Sequence, residues 1–303
     1  MPSDAADRAY RSLPGPTARE IPPGLHFVAT PIGAARDITL RALDLLAGAD
    51  VLAAEDTRSL RHLMEIHGVA IGDRMIVSYH DHNEGQALPR LMRALQEGNA
   101  VVYASEAGTP LISDPGYGLA RAAIAEGVPV LAAPGASAVL CALTVSGLPS
   151  DRFFFAGFPP SSRAARLKFF EALAQVDATL IFYESPKRIR ESLRDCVQSF
   201  GEGRQGAVCR ELTKRFEEVT RGTLGDLVAA YEGRDVKGEI VLLIDRGGVV
   251  QADQSTIEAA LDRAMDSMSV KDAAAAVSEA FGLARRDVYQ MALSRGRSGK
   301  DKR

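Results

Sequence analysis

Three short loops built almost wholly of Pro, Gly, Ala, Ser and Thr each follow directly on an apolar, strand-like run. Pro31-Ile32-Gly33 follows Leu25–Thr30, Glu106–Pro110 follows Ala100–Ser105, and Pro134–Ala138 follows Pro129–Ala133. In an open α/β sheet a ligand sits in the crevice beyond the carboxyl ends of the strands, and residues with little side chain let backbone N–H and C=O groups reach it. Three such loops point to one extended small molecule. None is a phosphate cradle, because Walker-A spacing with its Lys-Ser/Thr ending is absent.

From Leu25 to about Ala133, β-like runs (Leu25–Thr30, Val51–Ala54, Met75–Tyr79, Ala100–Ser105, Val128–Leu131) alternate with helical ones (Thr39–Ala49, Thr57–His67, Glu84–Glu97, Gly116–Glu126). That alternation implies a mostly parallel sheet covered by helices. Asp114-Pro115 reads as an N-cap followed by Pro at the first helical position, opening the last of these helices. A second α/β unit follows. Its expected strands are Phe153–Phe158, Thr179–Glu184, Ala207–Leu212, Phe216–Thr220 and Glu239–Asp245, and its helices Arg163–Ala174, Pro186–Phe200 and Leu224–Tyr231, with Ser185-Pro186 repeating the cap-plus-Pro device. The organisation expected is a disordered leader (1–23), two α/β domains (24–134 and 135–246), a Gly-Gly linker (247–255) and a helical module with a basic tail (256–303).

The 303 residues are 46% hydrophobic and 25% charged, with a net charge of −3, which describes a globular chain that is not a basic nucleic-acid binder as a whole. Contact with an anionic polymer must come from local patches. Cys141, Cys196 and Cys209 form no CxxC pair, which argues against a disulfide framework or zinc site and for a reducing cytoplasm. The Pro-rich leader lacks the apolar core of a signal peptide, and no apolar stretch nears the roughly 20 residues of a membrane span.

Several motifs weigh less than they look. Gly201–Gly206 matches GxGxxG letter for letter, but it follows a helix and precedes a strand, the reverse of a dinucleotide fingerprint, and reads as a turn. His80-Asp81-His82 has no third ligand in view and reads as a polar loop; no metal is expected. Arg58 and Arg61 follow the acidic pair Glu55-Asp56 at a strand end, and Lys187, Arg188, Arg190 and Arg194 follow Tyr183-Glu184 at another. Each cluster is either a solvated face or a grip on phosphates. Ser269–Leu293 has helix-turn-helix spacing, with Gly282 at the turn and Val288 and Leu293 facing inward. From Arg285 onward seven basic residues stand against two acidic ones, a local charge of +5.

Taken in order, TPIG (Thr30–Gly33), AEDTR (Ala54–Arg58), HDHNE (His80–Glu84), SEAGTPLISDPG (Ser105–Gly116), PGASA (Pro134–Ala138), GLPSDRF (Gly147–Phe153), FYESPKR (Phe182–Arg188), RELTK (Arg210–Lys214) and KGEIVLLI (Lys237–Ile244) resemble the ribosomal RNA small subunit methyltransferase I family of the tetrapyrrole methylase superfamily. The resemblance implies an S-adenosylmethionine-dependent enzyme that methylates the ribose 2′-hydroxyl of a cytidine in the decoding region of small-subunit rRNA. It also implies two α/β domains with the cofactor in the cleft between them, a small C-terminal helical module, and a homodimer. The cofactor-binding positions it implies are Pro31, Ile32 and Gly33; Ser105, Glu106, Ala107, Gly108, Thr109 and Pro110; Pro134, Gly135, Ser137 and Ala138; and Tyr183 and Leu212. Two departures stand out: the family usually has Asp where this chain has Glu106, and Asn-Leu where it has Ala34-Ala35.

Methyl transfer to a hydroxyl must align three atoms and accept one proton. The candidates for that chemistry are Glu55, Asp56 and Glu184, with Lys187 or Lys214 lowering the hydroxyl's pKa or holding phosphate. Arg58, Arg61, Arg188, Lys214, Arg285 and Arg286 are the candidate RNA contacts, and the acceptor is small-subunit rRNA, free or in the assembled subunit. Two alternatives accompany this reading: a corrin or other tetrapyrrole methyltransferase of the same superfamily, and a DNA-binding regulator working through Ser269–Leu293.

Overall fold

The structure is a computed structural model that describes residues 21–80, 82–247, 254–281, 283 and 285–298. The expected leader up to residue 20, Asp81, most of the linker, Gly282 and the end of the basic tail lie outside the described residues.

The first sheet holds β1 (Gly24–Val28), β2 (Val51–Ala54), β3 (Met75–Ser78), β4 (Ala100–Ala104) and β5 (Val130–Ala133), all parallel in the order β3-β2-β4-β1-β5. Four helices join them: α1 (Leu40–Gly48), α2 (Thr57–Ile66), α3 (Glu84–Gln96) and α4 (Tyr117–Ala125). The three central strands, β1, β2 and β4, are buried along their whole length because both of their faces are covered. Leu25, Phe27, Val101 and Tyr103 pack with Leu91 and Leu95 of α3 and Leu119 and Ala123 of α4. Val28, Leu52, Val102 and Ala104 pack with Leu43 and Leu46 of α1 and Leu60 and Met64 of α2.

This topology fixes where a ligand can go. The chain leaves β1 and β2 toward α1 and α2 on one face, whereas β4, lying between them, leads to α4 on the other. Loops diverging from adjacent strands open a crevice at their carboxyl ends. The three small-residue loops sit at the ends of β1, β4 and β5, which are adjacent in the sheet.

The second sheet is mixed: β6 (Phe153–Phe155), β7 (Thr179–Glu184), β10 (Ile240–Ile244), β8 (Gln205–Arg210) and β9 (Glu218–Thr223) in that spatial order, with only β6 and β7 parallel. Helices α6 (Arg163–Leu173), α7 (Ile189–Phe200) and α8 (Leu224–Tyr231) cover one face. The other is covered by α5 (Ala138–Ser146), a helix not expected from the sequence. Its nine residues are almost uniformly apolar, so no 3.6-residue alternation marks them. Ile32, from the loop after β1, inserts into this same core beside Leu143, Leu212 and Val241 and docks the first unit on the second.

Two expected helix starts are corrected. α4 begins at Tyr117 after Gly116, whose φ of 120° is glycine territory, and no side chain caps it. Asp114 points elsewhere. Ser185 accepts from the Lys187 amide and so organises a lead-in turn, while α7 itself starts at Ile189. The stretch Gly201–Gly206 is the helix-to-strand turn read from its context.

At the C-terminal end, α9 (Gln254–Met265), α10 (Val270–Phe281) and α11 (Arg285–Ser298) close on Ile257, Leu261, Ala273, Val277, Val288 and Ala292. Val288 faces inward as expected; Ala292, four residues on, takes the buried place assigned to Leu293, which is half-buried. Arg295 spends its charge inside the module, pairing with Asp262 and Glu258 of α9.

Candidate active site

A cavity of about 460 Å³ lies between the two sheets, within the size range of small-molecule sites. The first unit lines it with Ile32, Glu55, Glu106, Ala107, Thr109, Ile112, Ser113 and Asp114, and the loop into α5 adds Ser137 and Ala138. The second contributes Phe158, Tyr183, Glu184, Ser185, Pro186, Cys209, Leu212 and Gly238 to Val241.

The floor is bare backbone held by cross-loop bonds. Thr30 and Gly108 exchange backbone hydrogen bonds at 3.0 Å, and Thr109 Oγ1 donates to the Ala136 carbonyl at 3.0 Å. Gly33 abuts the second unit so closely that a Cβ there would lie 2.6 Å from Thr213 Oγ1. The amide of Ala34 donates to that same hydroxyl at 3.0 Å, so the backbone at the Ala34-Ala35 departure is engaged across the cleft.

Opposite stands an aromatic wall. Tyr183 meets Phe155 and Phe158 edge-on, at centroid distances of 4.8 and 5.5 Å. Burial, then Glu239, pushes its phenol up from the ordinary range.

Glu55, Glu106, Asp114, Glu184 and Glu239 give the cavity an acidic lining. Burial first, then Glu55, Asp56 and Glu239, raise the Glu106 carboxyl. Burial, then Glu55, push Asp114 up to about 7, against hydrogen bonds from Tyr103 and from the amides of Glu106 and Leu111. Carboxylates crowded this way stabilise a bound cation and repel one another without it.

Of the expected cofactor positions, Ile32, Glu106, Ala107, Thr109, Ser137, Ala138, Tyr183 and Leu212 line the cavity. Ser105 and Gly108 lie beneath it, with the Ser105 hydroxyl donating to the Gly108 carbonyl. Gly135 faces a shallower groove beside α5, whereas Pro31, Gly33, Pro110 and Pro134 shape the loops without facing the cavity. Among the expected catalytic groups, Glu55 and Glu184 line it and two do not. Asp56 caps α2, accepting from the Arg58 amide at 2.8 Å and pairing with the Arg58 guanidinium. Lys187 is exposed next to the lining residue Pro186.

Glu184 has a structural task. Its side chain is fully buried, pairs with Arg188 at 2.7 Å, and accepts from the Ser185 amide at 2.6 Å and from Ser192 Oγ. Arg188 also donates to the Pro159 carbonyl, and the buried Arg166, held by Asp195 at 2.8 Å, donates to the Ser161 carbonyl. The two arginines thus clamp the loop that carries Phe158 to the cavity. Arg188 was expected to face RNA; its guanidinium is committed inward. Lys214, expected likewise, is held by Glu211 and Glu239, each at 3.0 Å. Arg58 (90% exposed), Arg61, Arg285 and Arg286 do face solvent.

Sequence reasoning missed Asp114, Ile112 and Ser113 because SDPG reads as a helix cap. It missed Phe158 and Glu239 because both fall inside runs that read as strand, Phe153–Phe158 and Glu239–Asp245, whereas β6 ends at Phe155 and β10 starts at Ile240, leaving both residues in loops. The structure marks these loops in a way the letters do not: Leu111, Ser113, Glu211 and Thr213 all hold positive φ without being glycine, and such strain collects at functional sites.

The arrangement is that of a methyltransferase cleft. Residues 24–228 match the family model for Tetrapyrrole (Corrin/Porphyrin) Methylases, and residues 251–296 match that for the RsmI C-terminal HTH domain. The fold is that of cobalt precorrin-4 methyltransferase (TM-score 0.55, 18% identity, 73% of this chain and 94% of that one) and of diphthine synthase (TM-score 0.56, 17% identity, 73% and 89%). Over 277 residues the chain is 46% identical to ribosomal RNA small subunit methyltransferase I of Mesorhizobium japonicum, covering 91% of this chain and 93% of that one. It is 42% identical over 267 residues to that of Mycobacterium tuberculosis, covering 88% and 93%. The chain belongs to the ribosomal RNA small subunit methyltransferase I family, within the tetrapyrrole methylases.

The methyl donor of the family is S-adenosylmethionine. The cavity fits such a group: an acidic lining suits its sulfonium and ammonium charges, an aromatic wall suits its base, and bare-backbone loops offer close approach.

Proposed function

We propose that this chain methylates the ribose 2′-hydroxyl of a cytidine in the decoding region of small-subunit rRNA, free or in the assembled subunit, acting as a homodimer in the cytoplasm. The observation that carries the reading is the acid-lined cleft at the topological switch point of a chain this similar to enzymes named for small-subunit rRNA. S-adenosylmethionine, when bound, supplies a methyl group on a positively charged sulfur. Glu106 and Glu239 complement that charge, Tyr183 and Phe158 supply the apolar face, and Ile32 and Leu212 hold the two walls in register. Alignment by a rigid pocket accounts for much of the acceleration such a transfer needs.

The cavity repels phosphate, so RNA must engage the rim and offer only a ribose inward. Arg58 and Arg61 lie on α2, whose N-terminus directly follows the lining residue Glu55, and Arg285 and Arg286 are exposed on the helical module. These four are the proposed phosphate contacts. A corrin acceptor gives such dispersed arginines no use. A DNA-reading role for α11 loses one of its cations, since Arg295 is spent on Asp262 and Glu258 within the module. Among the described residues no helix is long and apolar enough to cross a membrane.

The test is direct. The protein is incubated with labelled methyl donor and small subunits from a strain lacking the modification, the labelled nucleotide is mapped, and its ribose is tested for alkali resistance. Label on a base, or none on rRNA, overturns the reading.

A further inference from the structure

We infer that Asp114 is the proton acceptor for the ribose hydroxyl, held in place by the phenol of Tyr103. The inference rests on the RNA-methylating reading above and names a group in the same cleft.

Elimination narrows the field first. Glu184 is enclosed by Arg188, Ser192 and Ser185, Asp56 caps a helix and pairs with Arg58, and Glu239 pairs with Lys214. A carboxylate committed to an ion pair with an arginine or lysine is a poor base, since taking a proton breaks that pair, whereas the partners of Asp114 are a neutral phenol and backbone amides. Glu55, Glu106 and Asp114 are left on the wall, and Glu106 lies in the small-residue loop that approaches the cofactor.

Asp114 is distinguished by how it is held. Asp114 lines the cavity, and its Oδ2 lies 3.2 Å from the hydroxyl of Tyr103, a residue with no solvent exposure. The Tyr103 ring is itself fixed edge-on by Phe27 and Tyr79, at centroid distances of 5.5 and 6.0 Å. Behind it Tyr79 donates to Glu84 at 2.9 Å. The backbone either side of Asp114 is pinned: Ser113 has φ 57°, and a Cβ on Gly116 would lie 3.1 Å from Leu111 and 3.3 Å from Phe27. A rigid second group orienting the base is the arrangement general-base catalysis requires.

The groups acting on Asp114 are the Glu55 side chain from the end of β2, the Tyr103 hydroxyl from β4, and the backbone amides of Glu106 and Leu111 in its own loop. Glu55 opposes its ionisation and so favours proton uptake. In the step, the hydroxyl O–H bond breaks and its proton passes to a carboxylate oxygen of Asp114. The ribose oxygen forms the new bond to the methyl carbon, and the carbon–sulfur bond breaks with its electron pair going to sulfur, which becomes neutral. Asp114 then releases the proton to solvent.

The experiment compares wild type, D114N, E55Q and Y103F on small ribosomal subunits across pH 5.5–9, with donor affinity by calorimetry, melting by circular dichroism and aspartate titration by carboxyl-carbon NMR. D114N should lower turnover by roughly 10²–10⁴, the usual contribution of a general base, with only a few-fold loss of donor affinity from removing one of the lining carboxyls. Wild-type turnover should rise through a limb that coincides with an aspartate titration missing in D114N. Y103F should move both the limb and that titration to higher pH, a shift no merely structural role produces and one that stands even where D114N melts early. Turnover of D114N within a few-fold of wild type, a limb abolished by E55Q instead, a limb unmoved in Y103F, or a tenfold loss of donor affinity in D114N overturns the assignment. Wild type that transfers no methyl to rRNA at any pH overturns the RNA reading itself.

Discussion

Replacing Glu184 separates a structural carboxylate from a catalytic one. Its side chain is fully buried while that of Arg188 is 24% exposed, and the pair is closed by Ser192 Oγ and the Ser185 amide. Removing one partner of a buried pair costs about 3–5 kcal/mol because the other charge is stranded. Arg188 keeps some access to water, so Glu184→Ala belongs at the low end, about 3 kcal/mol. Glu184→Gln retains the volume and one good acceptor but loses the charge assistance, about 1.5 kcal/mol. Arg188→Met strands the carboxylate, which has no access to water, and should cost more than Glu184→Gln, about 4 kcal/mol. The double variant should then lose about 2 kcal/mol less than the sum of the singles, the coupling typical of contacting residues. At roughly 2 °C per kcal/mol for a chain of this size, thermal unfolding should fall by about 3 °C for Glu184→Gln and about 6 °C for Glu184→Ala. Because the pair clamps the Phe158 loop, donor affinity should weaken while the pH profile of turnover stays where it is. If Glu184→Gln melts with wild type while turnover and its ascending limb vanish, the clamp account is wrong and Glu184 is a base.

Glu106→Gln should weaken S-adenosylmethionine binding several-fold by calorimetry. Since the Glu106 carboxyl is raised by burial and by Glu55, Asp56 and Glu239, wild-type affinity should fall as pH drops through a range above 4.5, and the variant should lose that dependence. The double variant Arg58→Ala/Arg61→Ala should leave melting unchanged, because an ion pair this exposed contributes little, and should flatten the salt dependence of RNA binding by about one to two units of log–log slope. An unchanged slope removes these residues from the RNA interface. Gly238→Ala should destabilise by about 1–3 kcal/mol, since Gly238 holds φ 92° and a Cβ there would overlap the Glu211 carboxylate that anchors Lys214; urea denaturation showing no loss would mean the loop relaxes freely.

The local grammar of the fold is legible in the letters alone. Short apolar runs ending in Pro, Gly and Ser set the strands and marked the crevice, and Ile32, Glu106, Thr109 and Ser137 were legible because loops without bulk announce a ligand. Ordered motifs also carried the family resemblance. α5 was not legible, because a helix apolar on nearly every side shows no period. Which charges reach solvent was settled by packing between distant segments. Arg58, Arg188 and Lys214 look alike as letters beside acidic neighbours, yet one is in water, one closes a buried clamp and one is tied between two glutamates. Asp114 is the converse: next to Pro115 it reads as a cap, and the fold instead turns it onto Tyr103 in the cavity wall. The physical reason is common to all of them. Backbone preference is set by near neighbours in the chain, whereas the partners and desolvation that decide what a charged group can do come from residues distant in sequence.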